Sequence, residues 1–114
     1  MAQEQGVEQV TATEAIEASQ LGAWLVDVRE QYEWDEAHAP AARHVPMSVV
    51  GHHLADLPQH ERILVICRSG ARSDRVAGAL IRAGFDAVNV AGGMEAWQSA
   101  GGEVVAASGE PPRA

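Results

Sequence analysis

Three short runs along the chain are almost wholly apolar: Trp24 to Val28, Ile63 to Ile66, and Ala87 to Val90, the last preceded by Phe85. Runs this short and this uninterrupted suit strands covered on both faces, as in a parallel sheet, better than the alternating pattern of a sheet with one wet face. A further strand is expected within Ala41 to Met47, around His44 and Val45, and a short edge strand at Val10. The stretches between them carry helical spacing. Thr13 reads as an N-cap, Glu14 and Glu17 suit the positive end of a helix, Ile16 and Leu21 are placed inward, and Gly22 ends the element. Arg29 to Glu36 is charged, with Tyr32 and Trp34 interspersed as packing residues, and is expected to form a short helix or turn over the sheet edge.

Ser48 to Pro58 predicts an amphipathic helix with Val49, Val50, Leu54 and Leu57 inward. Ser73 to Ala83 predicts another, with Val76, Ala77, Leu80 and Ile81 in one stripe and Gly84 as its stop. Gly92-Gly93 turns into a last short helix that carries Met94 and Trp97 and ends at Gly101-Gly102. Strands alternating with helices of about ten residues imply an α/β fold, a parallel sheet with helices on both faces. The pattern leaves the order of the strands open. Residues 1–8 are expected to be a flexible lead-in, 9–105 the single domain, and 106–114, with Gly109, Pro111 and Pro112, a flexible tail.

Composition narrows the function. The 114 residues contain 46% hydrophobic residues, enough for a real core, and a formal net charge of −8. With that negative charge and only eight basic residues, all arginine, neither nucleic acid nor an anionic membrane is an expected partner. The start is polar and acidic, no apolar run approaches the ~18 residues of a membrane span, and one cysteine allows no internal disulfide. The expected compartment is the reducing cytoplasm.

That cysteine, Cys67, ends the run Ile63 to Ile66, and a helix follows within a few small residues. It therefore lies at the carboxyl edge of a strand, where open α/β sheets form ligand sites and the next helix directs its free N–H groups. Gly70 permits the turn that lets several amides converge on one point. Arg68 and Arg72 add positive charge, and a thiol beside arginine and a helix N-terminus ionises readily.

The loop Cys67-Arg68-Ser69-Gly70-Ala71-Arg72-Ser73 resembles the active-site loop of rhodanese-type sulfurtransferases. Leu25-Val26-Asp27-Val28-Arg29 with Ala37-His38-Ala39-Pro40-Ala41-Ala42 resembles the family's first signature, and Gly92-Gly93-Met94-Glu95-Ala96-Trp97 with Ala100-Gly101 its last. The resemblance implies a three-layer α/β/α fold whose parallel five-stranded sheet has the cysteine-bearing strand in the middle. It also implies a six-residue loop, Cys67 to Arg72, suited to sulfur transfer, whereas related phosphatases place one more residue between cysteine and arginine. Here the sixth position after Cys67 is Ser73. The family's glycines near positions 37 and 41 are replaced by Ala37 and Ala41.

On this reading Cys67 is the catalytic nucleophile, which takes a sulfane sulfur from a donor such as thiosulfate and holds it as a persulfide. Arg68, Ser69, Gly70, Ala71, Arg72 and Ser73 bind the substrate, with the backbone amides on the anion and the two arginine side chains orienting the donor. Asp27 and Arg29 support the loop. No cofactor is expected. The partners are a small sulfur-containing anion and a thiol acceptor, with a sulfur-carrier or thioredoxin-like protein as a candidate. His52, His53 and His60 lack the cysteine or clustered carboxylates of a ligand set, so no metal is assigned, and His38 is read as a packing residue. Two alternatives stay open: a sulfur-carrier or interaction module with little turnover of free donors, and a phosphatase or arsenate reductase, which the loop length disfavours.

Overall fold

The structure is a computed structural model that describes residues 6–107. Its five strands are β1 (Gln9–Val10), β2 (Trp24–Asp27), β3 (Arg43–His44), β4 (Ile63–Ile66) and β5 (Ala87–Val90), and its four α-helices are α1 (Ala12–Gln20), α2 (Gln31–Glu36), α3 (Ala71–Arg82) and α4 (Gly93–Ser99). The strands form one parallel sheet in the order β1-β5-β4-β2-β3, so β4 is central. The apolar runs are buried throughout: every residue of β4 and β5 is buried.

Alternation along β4 divides the core. Ile63 and Val65 face the layer containing Val76, Ala77 and Leu80 of α3, while Leu64 and Ile66 face Ala15 of α1 and Met94 and Trp97 of α4. Each such fully buried side chain contributes about 1.5–3 kcal/mol. Cys67 continues the odd-numbered side and so points toward α3. Because all strands run one way, β2, β4 and β5 deliver Asp27, Ile66 and Val90 to a common carboxyl edge, where the site lies.

Several expectations are corrected. The first helix is capped by Thr11, not Thr13: Thr11 Oγ1 accepts the Glu14 N–H and the Glu14 carboxylate accepts the Thr11 N–H, a closed capping box. Leu21 is 89% exposed because the helix ends before it can turn inward, and Ile81 is 41% exposed at the margin of the α3 stripe. The helix expected over Ser48 to Pro58 is two 3-10 helices, Met47–His52 and Leu54–Asp56. Two adjacent β-branched valines and Gly51 weaken helix propagation there, and Val50 and Leu54 still pack on the core. Around His44 only Arg43–His44 pairs as a strand, with Arg43 lying over the Trp24 ring at 3.8 Å.

Of the expected lead-in, Val7 packs on the core and Glu8 accepts the Asn89 N–H; residues 1–5 lie outside the described residues. Of the expected tail, Ala107 N–H donates to Asp35 O, and 108–114 lie outside the described residues. No helix among the described residues is long and apolar enough to cross a membrane.

Candidate active site

Cys67 leaves β4 and the chain turns within three residues into α3, with Gly70 in the left-handed conformation at φ 109°. The turn brings three polar groups onto the sulfur: Gly70 N–H at 3.1 Å and Ser73 N–H at 3.3 Å, which donate to it, and the Ser73 hydroxyl at 3.2 Å. Burial of the sulfur pushes the thiol pKa up, but the Ser73 hydroxyl and the amides of Ser73, Gly70 and Ser69 outweigh it, and the thiol titrates below its ordinary value.

The outer side of the loop is held from α4. Met94 N–H donates to Cys67 O at 2.7 Å and Glu95 N–H to Arg68 O at 3.1 Å, so the carbonyls turn toward α4 while the following amides face the sulfur. Gly93 makes this approach feasible: at φ 58°, a Cβ there would collide with the carbonyl oxygens of Cys67 and Arg68.

The loop arginines are engaged with protein carboxylates. Arg72 makes a two-pronged bond to Glu33 of α2, Nη1 to Oε1 at 2.7 Å and Nη2 to Oε2 at 2.9 Å. The Arg72 hydrogen bond dominates at Glu33 and holds its carboxyl at a pKa of about 2; reciprocally, Glu33 raises the guanidinium pKa. Arg68 lies 3.4 Å from Glu95 in an exposed pair. Arg72 is committed to Glu33 by two hydrogen bonds, whereas Arg68 stays exposed beside Glu95 at a surface depression.

Asp27 and Arg29 form a buried pair. Arg29 donates from its backbone N–H, Nε and Nη2 to the Asp27 carboxylate at 2.9–3.1 Å, and from Nη2 to Ala37 O at 2.6 Å. They brace the segment around α2 through Ala37 O, and Asp27 lies beside Ile66, the residue before Cys67, in the β2–β4 register. Trp34 stacks on His38 at 3.6 Å and on His44 at 4.7 Å, while His38 Nδ1–H donates to Trp34 O and His44 Nε2–H to Arg29 O. Tyr32 instead stands 67% exposed at a depression also lined by Glu33, Arg68, Met94, Glu95 and Gln98.

Cys67 itself is 1% exposed and lines neither that depression nor the one across the loop bordered by Ser69, Gly70, Ala71 and Asn89. Its sulfur is buried within reach of the Gly70 and Ser73 amides. Three residues of the site were not marked as such in the sequence: Glu33, Gly93 and Asn89. Gly93 was visible there only as part of the family's last signature, and Asn89 as the polar interruption of an apolar run.

Residues 11–100 match the profile of the Rhodanese-like domain. A putative sulfurtransferase of Bacillus subtilis, YtwF, is 41% identical over 85 residues, covering 75% of this chain and 82% of YtwF. The probable adenylyltransferase/sulfurtransferase MoeZ of Mycobacterium tuberculosis is 42% identical over 76 residues, 64% of this chain, and the chain spans only 19% of MoeZ. The crystal structure of a rhodanese-like domain protein from Staphylococcus aureus superposes with a TM-score of 0.76 at 33% identity, over 84% of this chain and 96% of that one. With a profile match spanning most of its length and the sheet order shown above, the chain belongs to the rhodanese-like domain family.

Proposed function

We propose that this chain is a sulfurtransferase that works through a persulfide on Cys67. The Cys67 thiolate attacks the outer sulfur of a donor such as thiosulfate; the new S–S bond forms as the donor's S–S bond breaks, and sulfite leaves with the electron pair. An acceptor thiolate or cyanide then attacks the outer sulfur of the persulfide, and Cys67 departs as thiolate. The acceptor is a small thiol or a carrier or thioredoxin-like protein in a reducing cytoplasm. The observation that carries this reading is the convergence of Gly70 N–H, Ser73 N–H and Ser73 Oγ on one sulfur. The names of the similar sulfurtransferases agree with it.

Ionisation is the smaller part of what such a cradle does. For a thiol titrating above neutrality, each pKa unit lost gives about tenfold more thiolate and returns about threefold of it as weaker nucleophilicity. The larger part is fixed donors around an anion that forms in a dry site. Phosphoryl transfer fits poorly, because Arg72 comes one residue early and is bound to Glu33, and the next position is Ser73, directed at the sulfur.

One observation favours a carrier role in place of turnover of free donors: Arg72 is held by Glu33 through two hydrogen bonds and Arg68 lies beside Glu95, so a free dianion competes with a protein carboxylate for each loop arginine. Steady-state kinetics separate the two. Efficient thiosulfate:cyanide turnover with ping-pong kinetics, lost in Cys67→Ser, supports the enzyme; persulfide handover from a cysteine desulfurase with negligible thiosulfate turnover supports the carrier; phosphatase turnover dependent on Cys67 overturns both.

A further inference from the structure

Asn89 is the one polar residue of β5, 3% exposed between Val88 and Val90, and all of its side-chain bonds lead toward the sulfur or away from it to the surface. Its Oδ1 lies 2.5 Å from Ser73 Oγ, and its Nδ2 donates to Gly70 O at 3.2 Å and to Gln9 Oε1 at 2.8 Å. Gln9 Nε2 in turn donates to Asp74 Oδ1 at 2.8 Å and Val7 O at 3.1 Å.

These bonds have one consistent direction. Asp74 and the Val7 carbonyl accept only, so they fix the Gln9 amide with its nitrogen toward them and its oxygen toward Asn89. The Gln9 oxygen and the Gly70 carbonyl then fix the Asn89 nitrogen, and the Asn89 oxygen is left facing Ser73. Ser73 has one hydroxyl proton and three acceptors within reach: Asn89 Oδ1 at 2.5 Å, Cys67 Sγ at 3.2 Å and Gly70 O at 3.3 Å. The shortest takes the proton. The Ser73 oxygen then shows the sulfur a lone pair, which suits the thiol S–H; a thiolate requires the hydroxyl to turn and leave the Asn89 oxygen buried without a donor.

We propose that Asn89 is a positioning residue for Cys67, holding the Ser73 hydroxyl proton away from the sulfur until the sulfur becomes an anion. The inference rests on the reading of Cys67 as the reacting atom. It makes the sulfur less reactive at rest than the cradle alone would leave it, and it ties the loop to β1 through Gln9. The elements around the sulfur carry the loop arginines with their partners Glu33 and Glu95, Asp74 of α3, and the Asp27–Arg29 pair of β2. All of these remain when position 89 alone is changed.

The test uses alkylation of the single cysteine by iodoacetamide as a function of pH, which reads the thiol directly and needs no sulfur transfer. In Asn89→Leu, close in shape and without an acceptor, the hydroxyl is free for the thiolate: the pH profile moves to lower pH and the rate at pH 7 rises about threefold. In Asn89→Asp, a charged acceptor facing Ser73 moves the profile the other way and lowers the rate by a similar factor. In a Ser73→Ala background Asn89→Leu changes nothing, because the hydroxyl through which Asn89 acts is gone. If the two substitutions shift the profile in the same direction, or the leucine effect survives without Ser73, the proposal is wrong. If Asn89→Leu fails to fold, Asn89→Asp compared in wild-type and Ser73→Ala backgrounds decides: slowing that needs Ser73 supports the proposal, while equal slowing without Ser73, which is plain charge repulsion, or no slowing at all overturns it. A failure here leaves persulfide formation untouched, and absence of a persulfide would leave these profiles standing.

Discussion

Arg72 and Glu33 fasten the sulfur-bearing loop to α2 through two parallel bonds of 2.7 and 2.9 Å, between residues thirty-nine positions apart in the chain. The arginine that the loop pattern offers to a donor anion is thus already answered by a protein carboxylate, itself steadied by a capping box in which Glu30 N–H donates to Glu33 Oε1. In this arrangement the Arg72 guanidinium serves the attachment of the loop to α2.

Glu33 is 8% exposed and its pKa falls from an ordinary 4.5 to about 2 in the folded protein. A depressed carboxylate contributes stability above its unfolded pKa and loses it as pH falls toward the folded one. Because the Arg72 side chain is one-third exposed, the contribution is discounted to the order of 2 kcal/mol. Melting curves of wild type and Glu33→Gln should differ by a constant amount above about pH 4.5, with the gap closing as pH approaches 2. A gap independent of pH would remove the ion pair as its cause.

If Arg72 acts chiefly on Glu33, Arg72→Ala and Glu33→Gln lower sulfur transfer and stability to a similar degree, and the double variant is little worse than either. Were Arg72 to bind the donor directly, Glu33→Gln would release it and lower KM for thiosulfate while Arg72→Ala raised it. Steady-state KM for both variants distinguishes the two cases.

Gly93→Ala places a methyl group against the carbonyl oxygens of Cys67 and Arg68 at a positive φ, so the loop must move. A loss of more than about 2 kcal/mol in chemical denaturation, with loss of persulfide formation, is expected. Gly78→Ala is the control: in the middle of α3 its added methyl meets nothing closer than Arg82 Nη1 at 3.5 Å, and it should raise stability by about 0.5–1 kcal/mol while leaving transfer unchanged.

Ser73→Ala removes the hydroxyl that helps hold the Cys67 thiol below its ordinary pKa. The alkylation profile of the variant should move to higher pH, with the rate at neutral pH falling about threefold. An unmoved profile would leave the backbone amides of Ser73, Gly70 and Ser69 as the whole cause.

The frame of this molecule was legible because it depends on near-neighbour pattern. Ile63 to Ile66 and Ala87 to Val90 have the length and unbroken apolarity of strands buried on both faces, and Cys67 followed by a short loop with Gly70 reads as a tight entry into α3. The site's wiring was not, because it depends on which distant side chains meet. Nothing near Glu33 in the sequence marks Arg72 as its partner, and Asn89 acquires meaning only when β5 lies beside β4 and α3 presents Ser73. Local misreadings have local causes: Thr11 and Thr13 are both plausible caps until Glu14 is seen to close the box with Thr11, and the valines at 49 and 50 fit an apolar stripe while opposing the helix that the stripe implied.

The most direct test is intact mass after incubation with thiosulfate and removal of excess donor. With a single cysteine, wild type should gain one sulfur, about 32 Da, lost again on adding cyanide or a thiol, and Cys67→Ser should gain nothing. An unmodified wild type under conditions where Cys67 is alkylated by iodoacetamide, tried with a protein persulfide donor as well as thiosulfate, would contradict the central claim that this sulfur accepts another.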